Sequence, residues 1–155
     1  MTTVRLKLLP QGNIEQTITV YLTDFDDKVV ASASGLLDAN GNFEGDVETI
    51  EIAVRPIVYG ATLLPTAGAS LLNPINGVIE YDFTLATSQA LGSNQILVDG
   101  VARIYNGDFN QDGSIDGSDA PFYDEAVMDL KDFESNIELS ISAVLPIGFP
   151  IPPHN

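Results

Sequence analysis

Apolar residues recur at every second position over much of this chain, and that period restricts it to β-structure with one buried face. Val4, Leu6 and Leu8 alternate with Arg5 and Lys7; Ile18, Val20 and Leu22 alternate with Thr17, Thr19 and Tyr21. Ile79, Tyr81, Phe83 and Leu85 alternate with Glu80, Asp82 and Thr84, and Ile137, Leu139, Ile141 and Ala143 with Glu138, Ser140 and Ser142. An extended strand turns successive side chains to opposite faces, so each segment offers one row to a core and one to water. Ile50 to Val54 and Gln95 to Tyr105 add strand candidates, with Gly100 marking a bulge or a turn in the latter. Asp38-Ala39-Asn40-Gly41-Asn42 reads as a hairpin turn between apolar flanks. Gly60 to Asn76 reads as a long loop or a broken edge strand. One stretch has helical spacing: Phe122, Ala126 and Leu130 share a face, Pro121 suits a first turn, and Ser118 or Asp119 suits the N-cap, which predicts a helix over Ser118 to Leu130. The expected fold is mainly β, an antiparallel β-sandwich of about eight strands with one short helix, in a single domain over 1–155.

The clearest chemistry lies just before that helix. Asp108-Phe109-Asn110-Gln111-Asp112-Gly113-Ser114-Ile115-Asp116-Gly117-Ser118-Asp119 has the spacing of an EF-hand calcium loop. A hard cation that takes six to eight oxygens needs them delivered in order from one tight turn. Asp108, Asn110 and Asp112 stand at the first, third and fifth positions, and Gly113 at the sixth allows the sharp turn. Ser114 offers a backbone carbonyl, Ile115 is the apolar anchor, Asp116 is placed to act through a bridging water, and Asp119 closes the shell. The expected ligands for Ca2+ are therefore Asp108, Asn110, Asp112, Ser114 and Asp119. With no paired second loop and no Met-rich groove, the cation is expected to be a static staple, not a switch.

From Asn106 to Asp119 the sequence resembles one repeat of a type I dockerin, a family in which an extended segment leads into the calcium loop and the twelfth ligand is Asp. The resemblance spans 106–130. Dockerins carry two such repeats and this chain carries one, so the resemblance implies the metal site and not the docking activity.

Charge narrows the partners. The chain holds 22 acidic against 6 basic residues, a net charge of −16. A nucleic acid or an anionic membrane surface would be repelled, and no apolar run is long enough for membrane insertion. The segment Asn106 to Glu134 concentrates acidity, with nine carboxylates against Lys131 alone, whereas Arg5 and Lys7 sit together near the amino end.

Other features read as structural. Asp24, Asp26 and Asp27 suit a solvated turn; Asp38, Asn40 and Asn42 begin like a calcium loop but place Phe43 where glycine is needed. His154, in the apolar proline-rich tail 144–155, has no partners for a triad or a zinc site. No nucleophile or phosphate-binding motif occurs. With no tryptophan to line a cleft, no enzymatic activity is expected. The amino end lacks a signal-peptide pattern, so export by another route or a processed form is expected. There is no cysteine.

These features predict a calcium-stabilised structural subunit of an extracellular fibre or cell-surface assembly, a homo-oligomer or filament. Residues 1–10, basic and followed by the hinge Pro10-Gln11-Gly12-Asn13, are the expected exchanged terminal strand. The competing reading is a monomeric extracellular module that recognises a protein or a glycan and uses calcium structurally.

Overall fold

The structure is a computed structural model, and it describes residues 1–146. The chain is mainly β. Two sheets form the body. One has the order β4-β1-β7, from Asn42–Val47, Thr2–Lys7 and Val78–Asp82. The other has the order β3-β2-β5-β6, from Val29–Leu37, Gln16–Thr23, Arg55–Gly60 and Thr66–Ala67. A hairpin of β8 (Ile96–Val98) and β9 (Val101–Arg103) turns at Asp99-Gly100, where both residues have positive φ. The pair β10 (Ser114–Ile115) and β11 (Ile141–Ser142) belongs to the loop region, as does α1 (Leu130–Leu139).

The period-two reading holds where the two sheets face each other. Val4, Leu6 and Leu8 of the first segment, Ile18, Val20 and Leu22 of the second, and Ile79 and Phe83 of the third are all buried in one core. Arg5 and Lys7 point to solvent. Each fully buried side chain of this size contributes roughly 1.5–3 kcal/mol, so the alternation fixes which face of each strand is inside.

Segment β1 is the middle strand of its sheet. It pairs antiparallel with β4 over six residues and parallel with β7 over five. The ladder to β7 makes the sandwich mixed where a wholly antiparallel one was expected. The amino-terminal strand is thus held on both edges within the chain.

Other expectations change. The Asp38–Asn42 turn forms, with Asp38 N–H on the Asn42 carbonyl at 3.1 Å and Gly41 at φ +83°, but it passes from one sheet to the other. The inner faces close tightly here: a Cβ on Gly45 would lie 3.0 Å from the Ala33 Cβ. Ile50 to Val54 is not a strand; Val54 alone bridges to Leu72, and Ile52 is exposed. Within Gly60 to Asn76 only β6 and isolated bridges form, as a broken edge strand would.

The helix is displaced. Gly117–Phe122 is a short 3-10 helix, and the α-helix begins only at Leu130. Pro121 sits inside the 3-10 segment, and Asp124 Oδ1 takes the Ala126 N–H in a following turn, so the chain turns aside before restarting. Ile137 to Leu139 are helical, and only Ile141–Ser142 remain extended, after Ser140 ends α1 at φ 51°. Phe133 and Ile137 lie four apart and face one cluster, a helical repeat that the alternation of Ile137, Leu139 and Ile141 disguised. Beyond Ala143 the chain reaches the large sheet, where Leu145 packs against the cluster of Ile57, Tyr59 and Ala67. The rest of the tail, with His154, lies outside the described residues. Among the described residues, no helix is long and apolar enough to cross a membrane.

Candidate metal centre

The loop 108–119 folds around its own carboxylates. Asp108 is fully buried; its Oδ2 accepts the Gly113 N–H at 3.0 Å and its Oδ1 the Asp112 N–H at 3.2 Å. Asn110 Oδ1 also accepts the Asp112 N–H at 3.1 Å, and Asp112 Oδ1 the Ser114 N–H at 3.0 Å. Asp119, also buried, takes the Asn110 N–H on Oδ1 and the Asp116 N–H on Oδ2, each at 3.0 Å. Gly113 sits at φ +89°, which suits the glycine expected at the tight turn.

Carboxylate oxygens of Asp108, Asp112 and Asp119 converge to within 4.8 Å of one another, and among the described residues no other such trio occurs. Three close carboxylates of this kind are able to hold one metal ion. Burial pushes the Asp108 carboxyl up to about 7, against the opposing Gly113 N–H, and the Asp119 and Asp112 charges push it further up. Burial likewise raises Asp119. Among the described residues the one ion pair joins Arg5 and Glu44, so no basic side chain neutralises the trio.

The other expected ligands take distinct places. Asn110 lies on the rim and donates through Nδ2 to Ser118 Oγ at 2.9 Å. Ser114 is in β10, paired with Ser142. Asp116 is the N-cap of the 3-10 helix in place of the expected Ser118 or Asp119: its side chain takes the Ser118 N–H and hydroxyl, which lower its pKa, and Asp119 answers as the third residue of a capping box.

Two anchors tie the loop to the body. The first is apolar. Ile115 is buried with Leu64, Met128 and Phe133, and the Phe109, Tyr123 and Phe133 rings pack with centroids 5.0–6.0 Å apart. Gly107, at φ +116°, lets the backbone pass: a Cβ there would lie 2.9 Å from the Phe133 ring. The second is polar and has no local signature. Asn106, Gln11 and Asn136 are all buried. Gln11 Oε1 accepts the Asn136 Nδ2 at 2.7 Å and the Asn106 N–H at 3.1 Å, and Asn136 Nδ2 also reaches the Asn106 carbonyl at 3.0 Å. Asn106 Oδ1 takes the Thr62 hydroxyl at 2.7 Å and the Gly107 N–H at 2.8 Å. Partners 95 and 125 residues apart leave no local pattern.

The second strand against the loop is β11, where Ile115 pairs with Ile141 and the Ala143 N–H reaches the Gly113 carbonyl at 2.8 Å. The two acidic stretches read from the sequence as turns do form turns. Asp24 Oδ1 takes the Asp26 and Lys28 N–H groups, and Asp38 Oδ1 those of Asn40 and Asn42.

Comparison of the chain with protein-family models and with curated proteins returns no match.

Proposed function

We propose that this chain is a calcium-stabilised structural β-module that works outside the cell or at its surface, with Ca2+ held by Asp108, Asn110, Asp112, the Ser114 carbonyl and Asp119. The observation that carries this reading is the wholly buried Asp108, whose carboxylate faces two others within 4.8 Å in a loop of EF-hand spacing. A buried carboxylate without a cation is costly, and a divalent ion offsets both its desolvation and the mutual repulsion of the trio. The donor set is all oxygen, with no imidazole or thiolate, which suits a hard cation and not zinc. A twelve-residue loop with a glycine turn favours calcium over magnesium, which keeps most of its waters.

The loop is fixed from both sides, by β11 and by the cluster around Phe133. A cation in such a frame supports the fold and does not drive an opening motion. Loops of modest affinity fill at extracellular calcium levels, which is the reason for placing the module there. The amino-terminal strand needs no neighbour in this reading, because β4 and β7 flank it within the chain.

The test is calorimetric titration and thermal melting of the full chain with Ca2+, Mg2+ or chelator. The expected result is one calcium site, a higher melting temperature in calcium and a weaker response to magnesium. A melting temperature indifferent to calcium and chelator refutes the reading.

A further inference from the structure

The tip of the metal loop rests on a distant part of the chain. Among the described residues, the hydrogen bonds that Gly113 and Ser114 make outside the loop all go to one short segment. The Ala143 N–H meets the Gly113 carbonyl at 2.8 Å, and the Ser142 and Ser114 hydroxyls lie 3.2 Å apart. Ile141 pairs with Ile115, the apolar anchor of the loop. In an antiparallel pair, hydrogen-bonded and non-hydrogen-bonded residues alternate. The bond from Ala143 to Gly113 makes Ser114 and Ser142 a non-hydrogen-bonded pair, so the Ser114 carbonyl turns away from β11. That carbonyl is the expected seventh-position ligand. The ladder that holds the loop therefore also orients a ligand.

The other end of the segment is fixed to the body. Asn94 Nδ2 donates to the Ser142 carbonyl at 2.9 Å. Val144 lies against Gly92, where a Cβ would come 2.8 Å from the Val144 Cγ1. Leu145 packs against the cluster of Ile57, Tyr59 and Ala67. None of these groups belongs to the loop, so Ile141 to Leu145 forms a strap between the metal centre and the large sheet. The strap lies at the surface: Ser142 and Val144 are exposed, and Ile141, Ala143 and Leu145 are half-buried. Segments of this kind open locally without global unfolding.

We propose that this strap is coupled to the metal centre: it sets the calcium affinity of the loop, and the bound cation in turn holds it over Ile57, Tyr59 and Ala67. The inference rests on the calcium reading. A docked strap fixes the backbone that carries the Ser114 carbonyl, so less of the loop is left for the cation to order. The coupling is reciprocal: the factor by which the strap raises calcium affinity is the factor by which calcium favours the docked strap. Asn94 is a positioning residue for the cation, acting through Ser142. The cation still acts as a staple, and the strap is what it fastens.

The test combines calorimetric calcium titration with amide hydrogen exchange on the full chain. Ala143→Pro removes the N–H that reaches the Gly113 carbonyl, and Asn94→Ala removes the donor to Ser142 without touching the loop. Ala143→Pro should weaken calcium binding about 5-fold or more, and Asn94→Ala should weaken it by a smaller factor. In the wild type the Ala143 amide should exchange faster in chelator than in saturating calcium, by the factor that Ala143→Pro takes from the affinity. It should also exchange faster than the amides of β2 in both conditions. A strap that serves the fold alone would lower the metal-free melting temperature of both variants and leave their calcium affinity at the wild-type value. That result would overturn the proposal, as would an Ala143 amide whose exchange ignores calcium. A wild-type chain that binds no calcium would instead sink the calcium reading itself, and this inference with it.

Discussion

Replacing Asp112 by Asn separates the cation's contribution from the fold's own. Asp112 is exposed, and its Oδ1 accepts the Ser114 N–H while its Oδ2 lies 3.5 Å from the Ser118 hydroxyl. An amide keeps both contacts, since its oxygen still accepts and its NH2 donates to the hydroxyl. The metal-free protein should therefore melt at the same temperature or slightly higher, because one of three converging charges is gone. Calcium binding should suffer. A unit charge about 2.4 Å from a divalent ion is worth about 3.5 kcal/mol even at the dielectric of water. If the amide oxygen retains half of that, the loss is about 1.8 kcal/mol, or about 20-fold in affinity. At calcium about 100 times the wild-type Kd the cation adds about 2.7 kcal/mol to stability, and the variant would keep about 1.1 kcal/mol of that. For a chain of this size the difference is about 3–7 °C in melting temperature. Differential scanning calorimetry in calcium and in chelator measures both arms. Equal shifts of the variant in the two conditions would refute the argument, because they would place the effect of Asp112 in the fold and not in the cation.

The remaining predictions concern what surrounds the centre. Asn136→Ala deletes the donor to Gln11 Oε1 and to the Asn106 carbonyl, and should cost about 1–3 kcal/mol in urea unfolding, with a measurable fall in calcium affinity because Asn106 leads into the loop. Phe133→Ala opens a cavity in the cluster under the loop and should cost about 3–5 kcal/mol. In calcium-depleted buffer, Asp108 titrates near 7 when folded against 3.8 as its ordinary value; its raised folded pKa means the folded state holds the proton longer. Metal-free stability should thus be greatest near pH 4 and fall as pH rises toward 7, and the stabilisation added by calcium should grow over the same interval. The slope of the urea midpoint against pH, compared with that of Asp108→Asn, reads this directly.

How much of this was legible beforehand depended on the range of the interactions. The order Asp108, Asn110, Asp112, Gly113, Ser114, Asp119 is a local code, since a tight turn of twelve residues brings those groups together wherever the loop sits, and the carboxylates of that code do converge. The alternation of Val4, Leu6 and Leu8 or Ile18, Val20 and Leu22 is equally local, because strand geometry sends alternate side chains to one face. Ile137 to Ala143 shows the limit of that rule. A stretch this short with apolar positions two apart also fits part of a helix face, and the contacts of Phe133 and Ile137 with the Ile115 cluster decided the outcome. Tertiary structure alone placed β1 between β4 and β7, joined Gln11 to Asn106 and Asn136 across the chain, and left β3 at an edge. Each of those outcomes depends on which distant segments meet. A linear pattern specifies which face of an element is apolar, but its neighbour is chosen by the packing of the whole chain.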